Sequence, residues 1–240
     1  MAKTGPEKTM RQNRQPEDSL LEVARRIGTV GTYILSLERE LAKRSRSVPA
    51  KSWPPNTRNV AIPALPREIT AMTGVTDSSA IGLRDKALVL VGFAGALRLS
   101  ELVALNKSDC TFSKHGVRLN LGDRKITITY GSDTCPVQAL LSWMSLLEHR
   151  GPVFCAVTRH GTVTPNRLWP GDVNRIIKKL SRRAGLRLSG RSLRFGHVIT
   201  AAAAGLPEWY LVKQTGYHSA IIKSHMKKAA AYCKSSALGL

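Results

Sequence analysis

Apolar side chains recur at alternating steps of three and four residues along Leu20, Val23, Ile27, Val30, Ile34, Leu37 and Leu41, which fills the a and d positions of a heptad seam. This pattern predicts a helix over 18–44, with Asp18 or Ser19 as N-cap and Glu22 in the first turn. The seam runs for about three heptads, the minimum for a coiled coil, and Gly28 and Gly31 each weaken the helix by about 1 kcal/mol relative to alanine. Two readings stand: the seam joins copies of the chain, or it covers a face of its own domain. Residues 1–17 mix Lys, Arg, Gln and Gly without a period and read as a disordered basic arm or a solubilising tail. Residues 45–62, with Pro49, Pro54 and Pro55, cannot continue a helix and read as a linker to a second domain over 63–240.

In that domain the pattern predicts short helices over 68–72 and 100–105 and a buried helix over 84–97, where the longest apolar run lies. Apolar and polar residues alternate over 117–121 and 126–130, as in a small hairpin. Helices are then expected over 137–149, 172–184, 192–204, 207–215 and 220–233. The class is mainly α with a small β-sheet.

Composition narrows the partners. The chain has 37 Lys+Arg against 16 Asp+Glu, a net charge of +21, and a field of that sign attracts polyanions. Duplex DNA, RNA and an anionic membrane surface all fit the charge alone. No run reaches the ~18 apolar residues of a membrane span, and no apolar segment follows the basic N-terminus as in a secretory signal. A cytoplasmic, nucleoid-associated protein is expected. Cys110, Cys135, Cys155 and Cys233 are widely spaced, with no CxxC pair, and read as reduced, packed thiols rather than metal ligands or disulfides.

Several segments in order narrow the choice further. GLRDKAL at 82–88 with GFAGALRLSELVAL at 92–105, YGSDTCPV at 130–137, GPVF at 151–154, RSLR at 191–194 and GYHS at 216–219 closely resemble the boxes of the tyrosine recombinase (phage integrase) catalytic domain. The resemblance implies that family's mainly helical fold, preceded here by the heptad helix. It also implies a chemistry: a tyrosine attacks a DNA phosphodiester, two arginines stabilise the phosphorane, and a hairpin lysine protonates the leaving oxygen, without cofactor or metal. Arg98 and Arg194 stand where the two arginines belong. Arg191 replaces a histidine, Tyr217 follows the glycine where His or Trp is usual, and His218 comes one position late. Lys125 is the candidate for the leaving-group acid, with Arg124 as runner-up.

The nucleophile position departs most. Ten residues after Gly216, where the family has its tyrosine, the chain has Met226, whose thioether cannot attack phosphorus and leave a stable ester. Tyr232 lies six residues further along the same helix and is expected to face elsewhere. The sequence therefore predicts a vestigial site of Arg98, Lys125, Arg191, Arg194, Tyr217, His218 and Met226, of which Arg98, Lys125, Arg191, Arg194 and His218 would contact DNA. The expected protein binds double-stranded DNA, self-associates, and acts beside an active recombinase or transposase or as a regulator of a mobile element. Two alternatives remain open: an active recombinase with Tyr232 as relocated nucleophile, and a basic RNA-binding or structural protein. Arg98 could equally be an ion-pair partner of Glu101, three residues on.

Overall fold

A computed structural model describes residues 62–131 and 134–237, with side chains through Ala230. The basic arm, the heptad helix with Leu20, Val23, Ile27, Val30, Ile34, Leu37 and Leu41, and the linker lie outside these described residues.

The elements run α1 (Pro66–Gly74), α2 (Ala80–Ala94), α3 (Leu99–Ala104), a 3-10 turn (Lys107–Asp109), β1 (Cys110–Ser113), β2 (Gly116–Asn120), β3 (Lys125–Thr129) and α4 (Pro136–Met144). They continue with β4 (Cys155–Val157), β5 (Val163–Arg167), α5 (Pro170–Arg183), α6 (Gly190–Ala203), α7 (Glu208–Thr215) and α8 (Ser219–Ala237). The mainly α class with a small sheet holds.

Helix α2 is the hub, packed against α1, α4, α5 and α6. Ala87, Leu88, Val89, Leu90 and Val91 are all buried, so its apolar residues run continuously instead of forming a stripe. It starts earlier than the apolar run because the Ser79 hydroxyl accepts the Gly82 N–H at 3.1 Å, an N-cap. Inside it, Arg84 and Asp85 form a buried pair, Nη2 to Oδ1 at 2.7 Å. Burial outweighs the Arg84 charge and raises the Asp85 carboxyl above its ordinary value. The helix ends at Ala94, short of the expected Leu97, because Ala96 turns at φ 49° and throws the chain toward α3.

The hairpin lies where alternation placed it, in register from Gly116 opposite Thr129 to Asn120 opposite Lys125. Two strand features were not anticipated. Strand β1 adds an antiparallel edge, pairing Cys110 with Leu119 and Ser113 with Gly116. Strands β4 and β5 form a separate two-stranded sheet. These strands are short, and β5 is mostly exposed and contains Pro165, which edge strands tolerate, so alternation gives no signal for them. Helix α4 stops at Met144, five residues before the expected end at His149. Below it the Trp143 indole donates to the Val153 carbonyl at 2.7 Å.

Helices α6, α7 and α8 pack together beside the hub. The leading segment crosses α6 so closely that a Cβ on Gly196 would sit 1.8 Å from the Ala64 carbonyl oxygen, which only glycine allows. The Ala64 N–H donates to the Ser192 carbonyl at 2.9 Å there. Cys135 and Cys155 are buried and Cys110 half-buried, all as free thiols, and burial pushes the Cys110 thiol up to about 12. No helix among the described residues is long and apolar enough to cross a membrane.

One core residue carries a pH liability that the sequence pattern did not flag. His197 of α6 is buried against the Phe93 ring at 6.0 Å, its Nε2 has no partner, and burial pushes the imidazole down to about 4. The unfolded chain titrates near 6.5, so it takes up this proton first, and stability is full above that pH, falls as pH drops and levels off below about 4. Denaturant melts at pH 7 and pH 4 should differ by about 3 kcal/mol from this group, with smaller loss in His197→Phe; an equal loss in both proteins removes His197 as the cause.

Candidate functional site

The C-terminus of α7 is gripped by arginines. Helix α7 ends where Gly216 adopts a left-handed conformation, φ 64°, and donates its N–H to the Val212 carbonyl at 2.7 Å. That leaves the carbonyls of Gln214, Thr215 and Gly216 at the negative end of the helix. Each accepts a guanidinium. Arg124 Nη1 donates to Gln214 at 3.1 Å, Arg194 Nη2 donates to Thr215, and Arg98 Nη2 approaches Gly216 at 3.4 Å. The three arginines come from the β2–β3 hairpin, α6 and the turn before α3.

Glu101 decides which arginine stays free. Its carboxylate caps α3 by accepting the Arg98 backbone N–H at 2.6 Å and takes the Arg124 guanidinium at 2.7 Å. Arg98 Nε is left 4.0 Å away. The side chains of Arg124 and Glu101 are 12% and 15% exposed, whereas that of Arg98 is 51% exposed. Glu101 is therefore committed to Arg124, and the Arg98 guanidinium keeps most of its five donors for a ligand.

Arg98 and Arg194 line one open cavity of about 570 Å3, together with Arg191, Lys228, Tyr217 and His225. Among the described residues no acidic side chain lines it. Arg194 is buried, with its Cζ 3.8 Å over the Tyr217 ring centroid. Burial lowers the Arg194 pKa and the nearby Tyr217 and Glu101 oppose that, but a guanidinium remains charged. No cluster of three or more His, Cys, Asp or Glu that could hold a metal ion occurs among the described residues. A pocket with free guanidinium donors and positive sign throughout is suited to an oxyanion, above all a phosphate.

The other expected site residues divide. Arg191 is exposed in the first turn of α6 and lines the cavity, and Tyr217 is half-buried at its base. Lys125 is exposed as the first residue of β3 and lies outside the cavity, while its neighbour Arg124 turns inward to Glu101. His218 is exposed outside the cavity, its carbonyl accepting the Ile221 and Ile222 N–H groups at the start of α8. Met226 packs half-buried on the apolar cluster of Val198, Leu211 and Ile222. The Tyr232 side chain lies outside the described residues. His225, Lys228 and Phe195 join the cavity without a sequence signal, because only the crossing of α6 and α8 brings them there.

The chain is similar to known proteins in a consistent way. Residues 65–222 match the model of the phage integrase family. An integrase/recombinase XerD homolog of Selenomonas ruminantium is 37% identical over 153 residues, which are 58% of this chain and 45% of that protein. The chain thus spans about half the length of that relative. Among solved structures, the XerH site-specific recombinase bound to its palindromic difH substrate aligns with TM-score 0.59 at 13% identity, over 94% of this chain and 72% of that one. The Tn1549 transposon integrase in complex with transposon right end DNA aligns with TM-score 0.54 at 13% identity, over 95% of this chain and 96% of that one. At such identities the two structures speak to the fold alone.

The unequal roles of the arginines can be measured by melting. Arg124→Ala leaves Glu101 without its cation and the Gln214 carbonyl unpaired, and should cost about 3 kcal/mol. Arg98→Ala removes an exposed side chain and should cost less than about 1 kcal/mol. Equal losses, or a larger one for Arg98, would show that Glu101 is instead held by Arg98.

Proposed function

Since the chain belongs to the phage integrase family, we propose that it is a DNA-binding relative of the tyrosine recombinases that has kept the phosphate socket and lost the strand-transfer reaction. One observation carries this reading: Arg98 and Arg194 share a cationic cavity while Met226, at the nucleophile position, is packed among apolar side chains. The socket grips a backbone phosphate of duplex DNA. The protein serves recombination, integration or transposition as an accessory or regulatory factor, in company with an active recombinase or transposase on the nucleoid.

Two assays on one labelled duplex test this. With a nicked suicide substrate no covalent protein–DNA adduct should survive denaturing electrophoresis; an adduct abolished by Tyr232→Phe or by Tyr217→Phe would restore an active enzyme with a relocated nucleophile. In equilibrium binding, Arg98→Ala should lower the slope of log K against log salt by about 0.9, the value for one phosphate contact on B-DNA. It should weaken all DNA sequences about equally, because a phosphate contact carries no sequence information. An unchanged slope would move the DNA-binding face elsewhere. Arg98 is the cleaner probe, since Arg194 also holds the end of α7.

Self-association through the heptad seam of residues 20–41 is part of the same proposal. Light scattering should give a dimer or larger species for the full chain and a monomer after deletion of residues 1–48; a full-length monomer at tens of micromolar rejects it.

A further inference from the structure

The cavity contains an imidazole that the arginine network does not use. His225 lies on α8 and lines the cavity, and its imidazole is held between two rings. Phe195 of α6 is 4.7 Å away between centroids, and Tyr217 is 5.8 Å away and nearly perpendicular. Its Nδ1 is closed off from solvent with no hydrogen-bond partner. The polar atom that His225 can present to the cavity is therefore Nε2.

The surroundings select one protonation state. Arg194 faces the imidazole from α6, Lys228 lies one turn along α8, and Arg98 and Arg191 line the same cavity. Tyr217 is the remaining titratable neighbour. An imidazolium here would add another positive charge to this cluster and would bury an N–H at Nδ1 with no acceptor. Burial first, then Lys228 and Arg194, hold the group below its ordinary pKa. The least costly form has a bare Nδ1 and its single proton on Nε2.

Resting on the reading of the cavity as a phosphate socket, we infer that His225 is a further phosphate-binding residue, which donates an Nε2–H hydrogen bond to a DNA phosphate oxygen as a neutral imidazole. Its contribution is directional and carries no charge. It supplies the imidazole donor that Arg191 and Tyr217, standing at the expected histidine and tryptophan positions, do not supply. Binding through it releases no counterion and takes up no proton, which sets it apart from the arginines.

The test uses the full chain and a labelled random-sequence duplex, read by fluorescence anisotropy across salt and pH. His225→Phe keeps a ring between Phe195 and Tyr217 and should weaken binding roughly ten- to a hundredfold, the size of one hydrogen bond to a charged acceptor. His225→Gln, whose amide nitrogen sits near the Nε2 position, should recover most of this loss, and His225→Asn, whose amide sits near Nδ1, should not. The salt slope should stay at the wild-type value in all three, whereas Arg98→Ala lowers it by about 0.9. Wild type and His225→Gln should share the same pH dependence between pH 5.5 and 7.5, a comparison that does not depend on how well His225→Phe folds. The inference is overturned if His225→Phe or His225→Asn binds like wild type. It is also overturned if wild type gains affinity on acidification that His225→Gln lacks, together with a lower salt slope in the variant, since both mark a cation. If Arg98→Ala also leaves affinity and slope untouched, the phosphate socket itself is rejected, and the two failures are thereby told apart.

Discussion

The site is organised by the end of one helix. Three carbonyls at the C-terminus of α7 meet three guanidiniums drawn from a hairpin, a helix and a turn far apart in sequence. The attraction is mutual: exposed carbonyls at the negative end of a helix need donors, and clustered arginines need a counter-charge to tolerate one another. With Gly216 closing the helix, this contact fixes α7 and therefore where α8 begins. A Cβ on Gly216 would lie 2.9 Å from Arg124 Nη1, so the glycine gives the arginine room as well as providing the left-handed turn.

Glu101 introduces the asymmetry within the cluster. A single carboxylate near several guanidiniums could have neutralised the one that faces solvent. Instead its Oε2 accepts both the Arg98 backbone N–H and the inward-facing Arg124 guanidinium, while Oε1 lies 4.0 Å from Arg98 Nε. The Arg124–Glu101 pair is largely buried, and the Arg98 side chain is left half exposed. Arg124 thus serves the fold, while the Arg98 guanidinium stays open to solvent.

The arginine network and the Met226 position are held by different contacts in this architecture. The socket depends on contacts among α3, the hairpin, α6 and α7, none of which involves Met226. The methionine packs half-buried on the apolar cluster of Val198, Leu211 and Ile222, which Tyr217 also joins. On the proposed reading, a thioether in place of a tyrosine there removes a nucleophile and leaves the arginine contacts in place.

Some of this was legible in the linear chain. The apolar run of α2, the alternation of β2 and β3, and the motif positions Arg98, Arg191, Arg194 and Tyr217 are local or motif-borne signals, and they led to the right fold and to four cavity residues. The basic balance likewise pointed to a polyanion, because net charge is a sum that ignores geometry. Tertiary structure alone decided the rest. Arg124 turns inward while Lys125, beside it, points to solvent, and nothing in their adjacency ranks them. Glu101 is three residues from Arg98 and 23 from Arg124, yet its close pair, at 2.7 Å, is with the distant one, and Arg98 stands at 4.0 Å. His225 gains its meaning from the rings of Phe195 and Tyr217 and from an enclosed nitrogen. Periodicity and motifs record what each element needs for itself; the partner of a charge and the exposure of a nitrogen arise only when separate elements pack together.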